Sequence, residues 1–134
     1  MSDFPESHRF LLDRPLATLA TIGADGRPQL SEIVFLFDED ELRISLNNTR
    51  QKSKNLIANP KVTLMILDDS GYKYLEVRGD AKVEPDDDYE FGEKLMAKYP
   101  GLDLRALDGP GEKRLKVTIE PTRIREVDMT GGGD

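Results

Sequence analysis

The sequence predicts a mainly β fold: a six-stranded antiparallel barrel with two or three short helices. Six segments rich in aliphatic and β-branched residues are bounded by Gly, Asp or Pro clusters, the pattern of strands closed by turns. Most of the connections are short enough for hairpins, which places sequential strands side by side and antiparallel. The few stretches with helix-forming composition each run into a proline: Pro15, Pro60 or Pro100.

Taken in order, residues 2–13 read as a short helix, capped by Ser2 or Asp3 and blocked by Pro15. The run Leu-Ala-Thr-Leu-Ala-Thr-Ile at 16–22 reads as a buried strand, and Gly-Ala-Asp-Gly at 23–26 as its hairpin turn. The returning strand is residues 28–37, joined through the acidic turn at 38–40 to a third strand at 41–46. Residues 50–59 form a helix that stops at Asn59 and Pro60. Residues 61–67 make the most strongly patterned strand, and Asp-Asp-Ser-Gly at 68–71 turns it into a long strand at 72–83. Gly79 inside that strand marks a bulge or bend. Asp86, Asp87 and Asp88 cap a second helix over 89–99. A Pro/Gly-rich loop at 100–112 leads to the last strand, 115–127, and residues 128–134 make a loose tail.

The chain has 134 residues, no internal repeat and no linker, so residues 1–134 are read as a single barrel domain. It has no cysteine, which excludes disulfides, thiolate metal sites and cysteine nucleophiles. No basic start precedes a long apolar run and no window is apolar enough to span a bilayer, so a cytoplasmic protein without a membrane partner is expected. A net charge of −7 argues against nucleic acid as a partner. That acidity also makes any local cluster of cations informative. Two strands are apolar on both faces, as at Leu16, Ala17, Leu19 and Ala20 and at Leu64, Met65, Ile66 and Leu67. A small barrel needs one such face, so the other points to a partner subunit or to the helices as its cover.

The segment Asn-Asn-Thr-Arg-Gln-Lys-Ser-Lys-Asn at 47–55 carries the chemistry. A polar turn leaves a strand and enters a helix whose first turns hold Arg50, Lys52 and Lys54. Cations there oppose the helix dipole, at a cost of about 0.3–1 kcal/mol each. A phosphate seated on the helix start would account for them; so would solvated side chains pairing with the many carboxylates. Gln29, Ser31 and Ile33 share one strand face by the period of two, either facing a planar ligand's edge or wetting an outer surface. Tyr72, Tyr74, Glu76 and Arg78 form another such row, suited to ring stacking or to cross-strand packing. His8 is the one histidine, which leaves no triad and no multi-histidine metal site. A phosphate seat and a groove without acid, base or nucleophile suit redox chemistry carried by a cofactor.

The runs at 16–22 and 26–31, the segment Arg-Gln-Lys-Ser-Lys-Asn-Leu-Ile-Ala-Asn-Pro at 50–60, and Tyr-Leu-Glu-Val-Arg-Gly at 74–79 resemble the FMN-binding split-barrel family. Within it, they resemble the pyridoxamine 5'-phosphate oxidase-like class that uses the deazaflavin coenzyme F420. The resemblance covers residues 10–128 and implies a six-stranded split barrel, a homodimer, and two equivalent cofactor sites at the interface. It implies that Arg50 and Lys52 grip the cofactor phosphate with Asn55 nearby, and that Ser45 and Leu46 line the ring pocket. Pro28, Gln29 and Ser31 would face the ring edge, while Tyr74 and Arg78 would reach the other protomer's site. The implied activity is hydride transfer between reduced F420 and a small-molecule acceptor, with no catalytic side chain and no metal. FMN is the alternative cofactor, and non-catalytic binding of deazaflavin, flavin or tetrapyrrole the alternative role. Gln51 stands between Arg50 and Lys52, where the true oxidases have adjacent Arg and Lys, and a C-terminal substrate region is lacking. Both departures speak against vitamin B6 oxidation.

Overall fold

The structure, a computed structural model, describes residues 4–130. Ser2, Asp3 and residues 131–134 lie outside them, and with them the expected helix cap and most of the expected tail. The elements are a 3-10 helix (Glu6–Asp13), β1 (Ala17–Ile22), β2 (Pro28–Ile33), β3 (Leu36–Asp38), β4 (Glu41–Asn47) and α1 (Gln51–Ala58). They continue with β5 (Lys61–Leu67), β6 (Lys73–Pro85), α2 (Glu90–Lys98), α3 (Leu104–Leu107) and β7 (Arg114–Asp128). The start of the expected tail is ordered: Asp128 closes β7 and the Met129 N–H donates to the Tyr72 carbonyl at 2.9 Å.

All seven strands belong to one antiparallel, curled half-barrel sheet in the order β2-β1-β5-β6-β7-β4-β3. The count is seven rather than six because the expected strand 28–37 breaks at Val34 and Phe35. Its two pieces, β2 and β3, occupy opposite edges of the sheet. Three Cα steps separate Ile33 from Leu36, a reach of at most about 11 Å. Laid flat, the outer strands of such a sheet would stand roughly 29 Å apart. The sheet must therefore roll until its edges nearly meet.

The seam is held from α2. The Phe35 N–H donates to the Tyr99 hydroxyl at 3.2 Å, and the Phe35 carbonyl lies 2.8 Å from that hydroxyl and accepts from Lys98 Nζ at 3.0 Å. Lys98 also donates to the Arg14 carbonyl at 3.0 Å and sits 4.2 Å from the Phe35 ring centre. Burial pushes the Lys98 ammonium pKa down, the electrostatic cost of a cation serving as a latch.

Local chemistry explains the remaining bends. Glu39 and Asp40, both at positive φ, form the two-residue turn between β3 and β4. In α2 the Asp86 carboxylate accepts from the Phe91 and Gly92 N–H groups at 3.0 and 2.9 Å, the expected acidic cap. The expected bulge falls between Arg78 and Gly79 in the β6–β7 ladder, just before β6 passes its last β5 partner at Asp80 and continues along β7 alone. A Cβ on Gly79 would lie 2.3 Å from the Glu120 carbonyl oxygen, so only glycine fits that corner.

Leu19, Phe35, Ile44, Leu64, Ile66, Leu75, Val77 and Val117 fill the barrel, and Phe91, Leu95 and Leu104 form a smaller cluster outside β4. Leu30 of β2 and Leu67 of β5 stay exposed, as do Leu16 and Tyr72 just before β1 and β6, so the helices leave this second apolar surface uncovered. No helix among the described residues is long and apolar enough to cross a membrane.

Replacing Tyr99 by Phe leaves the buried Phe35 N–H without its acceptor. It should lower unfolding stability by about 1–3 kcal/mol in urea denaturation, with the fold retained.

Candidate functional site

The turn from β4 into α1 is shaped by Asn47. Its Oδ1 accepts from the Thr49 N–H at 2.8 Å and from Thr49 Oγ1 at 2.6 Å, and its carbonyl accepts from Ser53 Oγ at 2.7 Å. Arg50 follows as the N-cap, with extended backbone and no capping bond from its side chain. The helix is fastened to the sheet by Asn55, which is 4% exposed. Asn55 Nδ2 donates to Thr21 Oγ1 at 3.1 Å and to Gln29 Oε1 at 2.9 Å, and Asn55 Oδ1 accepts from Gln51 Nε2 at 2.9 Å.

In front of this turn lies a groove of about 450 Å³. One wall is Ser45, Leu46 and Asn47 of β4 with Thr49, Arg50 and Lys52; another is Glu32, Ile33 and Val34 at the end of β2. Leu102, Leu104 and Leu107 give an apolar side, and Glu112 and Arg114 close the far end. The groove thus opens at the seam, where the β2 edge and the β4 region face each other without pairing.

Among the described residues no carboxylate stands within ion-pair distance of Arg50 or Lys52, although the chain has 26 acidic side chains. Burial, and then the neighbouring Arg50 guanidinium, push the Lys52 pKa below the ordinary lysine value. Two unpaired, mutually repelling cations at a helix start make a site whose charge is complemented by an anion. The Ser45 hydroxyl on the same groove is buried and has no hydrogen-bond partner among the described residues.

Of the residues singled out from the sequence, Ser45, Leu46, Arg50 and Lys52 meet in this groove. Gln29, Ser31 and Ile33 do share an inward face, but the Gln29 carbonyl oxygen is engaged by Asn55. The Ser31 hydroxyl is buried without a partner among the described residues. Asn55 lies beneath the site, its amide committed to Thr21, Gln29 and Gln51. Pro28 opens β2 on the exposed side. Tyr74 and Arg78 stand on the outer sheet face, with Arg78 Nε 3.6 Å from Glu76 Oε1, away from this groove in the single chain.

Sequence reasoning missed the bracing behind the groove. Asp108 accepts from Arg114, from Tyr89 Oη at 2.6 Å and from Asn47 Nδ2 at 2.7 Å, and both members of the Asp108–Arg114 ion pair are about 95% buried. Burial raises the Asp108 pKa, but the bonds from Arg114, Tyr89 and Asn47 more than offset this and hold it below the usual carboxylate value. Asp108 stood in a Pro/Gly-rich loop and Arg114 one residue before the expected last strand, so no spacing linked them. A carboxyl whose pKa is lowered on folding stabilises the protein above its unfolded pKa of about 3.9 and loses that contribution below it. Asp108→Asn should therefore cost about 3–5 kcal/mol at pH 7 in urea unfolding. The gap to the parent protein should narrow as pH falls below about 4.

Comparison with known proteins places the fold. A model of the pyridoxamine 5'-phosphate oxidase family matches residues 4–128. The solved structure of an F420 reductase is 35% identical, with a TM-score of 0.78 and coverage of 91% of this chain and 98% of that one. The conserved hypothetical protein Rv2991 from Mycobacterium tuberculosis is 27% identical, with a TM-score of 0.77 and coverage of 100% and 89%. The heme oxygenase HutZ of Vibrio cholerae is 31% identical over 65 residues, a match that spans 48% of this chain and 37% of that curated relative. With nearly its whole described length matched, the chain belongs to the pyridoxamine 5'-phosphate oxidase family.

Proposed function

We propose that the chain is an oxidoreductase that binds a phosphorylated deazaflavin, coenzyme F420, in the seam groove and serves its hydride transfer with a small organic acceptor. The observation that carries this reading is the unpaired Arg50 and Lys52 pair at the start of α1. The likeness to an F420 reductase across almost all of both chains supports deazaflavin over FMN, whose phosphate the same two cations would hold. A reduced deazaflavin bound there supplies the hydride. The chain's own residues bind and orient: Arg50 and Lys52 hold the phosphate, the Ser45 hydroxyl offers a hydrogen bond, and Leu102, Leu104 and Leu107 exclude water from one side.

The same reading includes a homodimer. Leu16, Leu30, Leu67 and Tyr72 leave an apolar surface suited to a second copy, and Tyr74 and Arg78 stand on the outer sheet face. Binding of a tetrapyrrole, the reading suggested by the segment shared with HutZ, is disfavoured by His8. That single imidazole is buried, its Nδ1 bonded to Ser7 Oγ at 2.7 Å and its Nε2 to the Val127 carbonyl at 3.0 Å.

Lys52→Ala should weaken F420 binding tenfold or more, the ~1.5–3 kcal/mol of a charge-assisted contact, in a fluorescence titration. An unchanged dissociation constant would sink the assignment. Because the Lys52 pKa is lowered, affinity should fall with rising pH before the ordinary lysine range is reached, as the ammonium loses its proton. Lys52→Arg should remove that alkaline loss, since a guanidinium stays charged.

A further inference from the structure

Asn47 has an unusual set of partners. It is 8% exposed, and all four hydrogen-bonding positions of its amide are filled. The oxygen accepts twice from Thr49, on the turn that presents Arg50. The nitrogen donates to Asp108 Oδ1 at 2.7 Å and to Glu112 Oε1 at 3.0 Å, on the segment that follows α3. Glu112 Oε1 also accepts from the Gly109 N–H at 2.7 Å, and Asn48 exchanges backbone and side-chain bonds with Lys113. One side chain thus joins the cationic wall of the groove to the segment carrying its leucines.

We propose that Asn47 is the positioning residue that builds the anion seat and the leucine side of the groove as one unit, so that an anion held by Arg50 and Lys52 also orders residues 104–112. This rests on the reading of the groove as a cofactor site. Only an amide meets the local demand. An alanine leaves Thr49, Asp108 and Glu112 with unmatched groups, and a carboxylate keeps the bonds from Thr49 but faces two other carboxylates. The charged and titratable groups around the position are Asp108, Glu112 and Arg114, the Tyr89 phenol, and Arg50 and Lys52 on the groove side. Any shift in the Thr49 turn moves Arg50, and any loosening of Asp108 releases the chain that follows Leu107.

Asn47→Asp tests this, with FMN and riboflavin as probes that differ only in the phosphate. At pH 8 the variant should bind FMN fivefold or more weakly than the parent protein and should also lose riboflavin affinity, by a smaller factor, because the leucine side loosens together with the seat. Protonation of the introduced carboxyl, favoured by Asp108 and Glu112 and opposed by Arg114 and the two Thr49 bonds, restores a donor, so the FMN ratio should narrow as pH falls. The phosphate's own second ionisation, near pH 6, affects both proteins and cancels in the ratio. In the unmodified protein, FMN but not riboflavin should slow amide hydrogen exchange across residues 104–112, a measurement that needs no variant. A ratio that stays flat with pH, or exchange in 104–112 that ignores FMN, overturns the role of Asn47. Lys52→Ala in the same titration separates the two levels. If it leaves FMN affinity unchanged the groove reading itself fails; if it weakens FMN while the Asn47→Asp ratio stays flat, only the present proposal fails.

Discussion

Two residues, Val34 and Phe35, connect strands that lie at opposite edges of a seven-stranded sheet, and much of the architecture answers to that short tether. A link of about 11 Å cannot span a flat sheet, so the sheet curls. Curling needs a corner, which the bulge at Gly79 supplies by letting β6 pass within van der Waals reach of the Glu120 carbonyl. It also needs a fastening, because the tether's backbone groups have no ladder partners of their own. Lys98 and Tyr99 of the α2 terminus provide it, and the half-buried ammonium shows that the fastening carries an electrostatic cost.

The groove is a consequence of the same closure. Edges brought together but not paired leave a cleft between β2 and β4, and the start of α1 brings Arg50 and Lys52 to its wall. α1 is tied to the sheet by Asn55, whose buried amide grips β1 and β2 at once, and by Ser53, which bonds the end of β4. Helix and cleft are therefore held in fixed relation by the barrel, and Arg50 and Lys52 inherit their placement from it. In a chain with a net charge of −7 these two cations have no carboxylate partner among the described residues, while Arg43 and Arg114 are each paired with acidic neighbours. Two cations crowded at a helix start, Lys52 partly buried, are the physical basis for expecting an anionic ligand.

Behind the cleft, the buried Asp108–Arg114 pair takes the place that apolar packing holds elsewhere in the barrel. Such pairs add little net stability but fix geometry, since each partner tolerates few arrangements once desolvated. Here the geometry fixed is that of β7 against the segment after α3, with Tyr89 and Asn47 completing the shell.

Much of this was written locally in the chain. Pro60 after Asn59, the Gly-Ala-Asp-Gly turn, the alternation in residues 61–67, the need for glycine at 79 and the acidic cap before α2 all depend on neighbours in sequence. Strand and helix positions were accordingly legible, as was the cationic helix start. What only the tertiary structure decided depends on residues far apart in the chain. The break at Val34 and Phe35 arises because Phe35 is claimed by Tyr99, sixty-four residues away. Asn55, which the family resemblance puts near the phosphate, turns its amide to Thr21 and Gln29, both far from it in sequence. The bonding of Asp108 to both Arg114 and Asn47 has no period or spacing to betray it. The amino-acid sequence by itself determined an antiparallel β fold and a cluster of cations at a helix start; closure of the sheet decided that those cations face a cleft, because only the folded chain brings the β2 edge opposite β4.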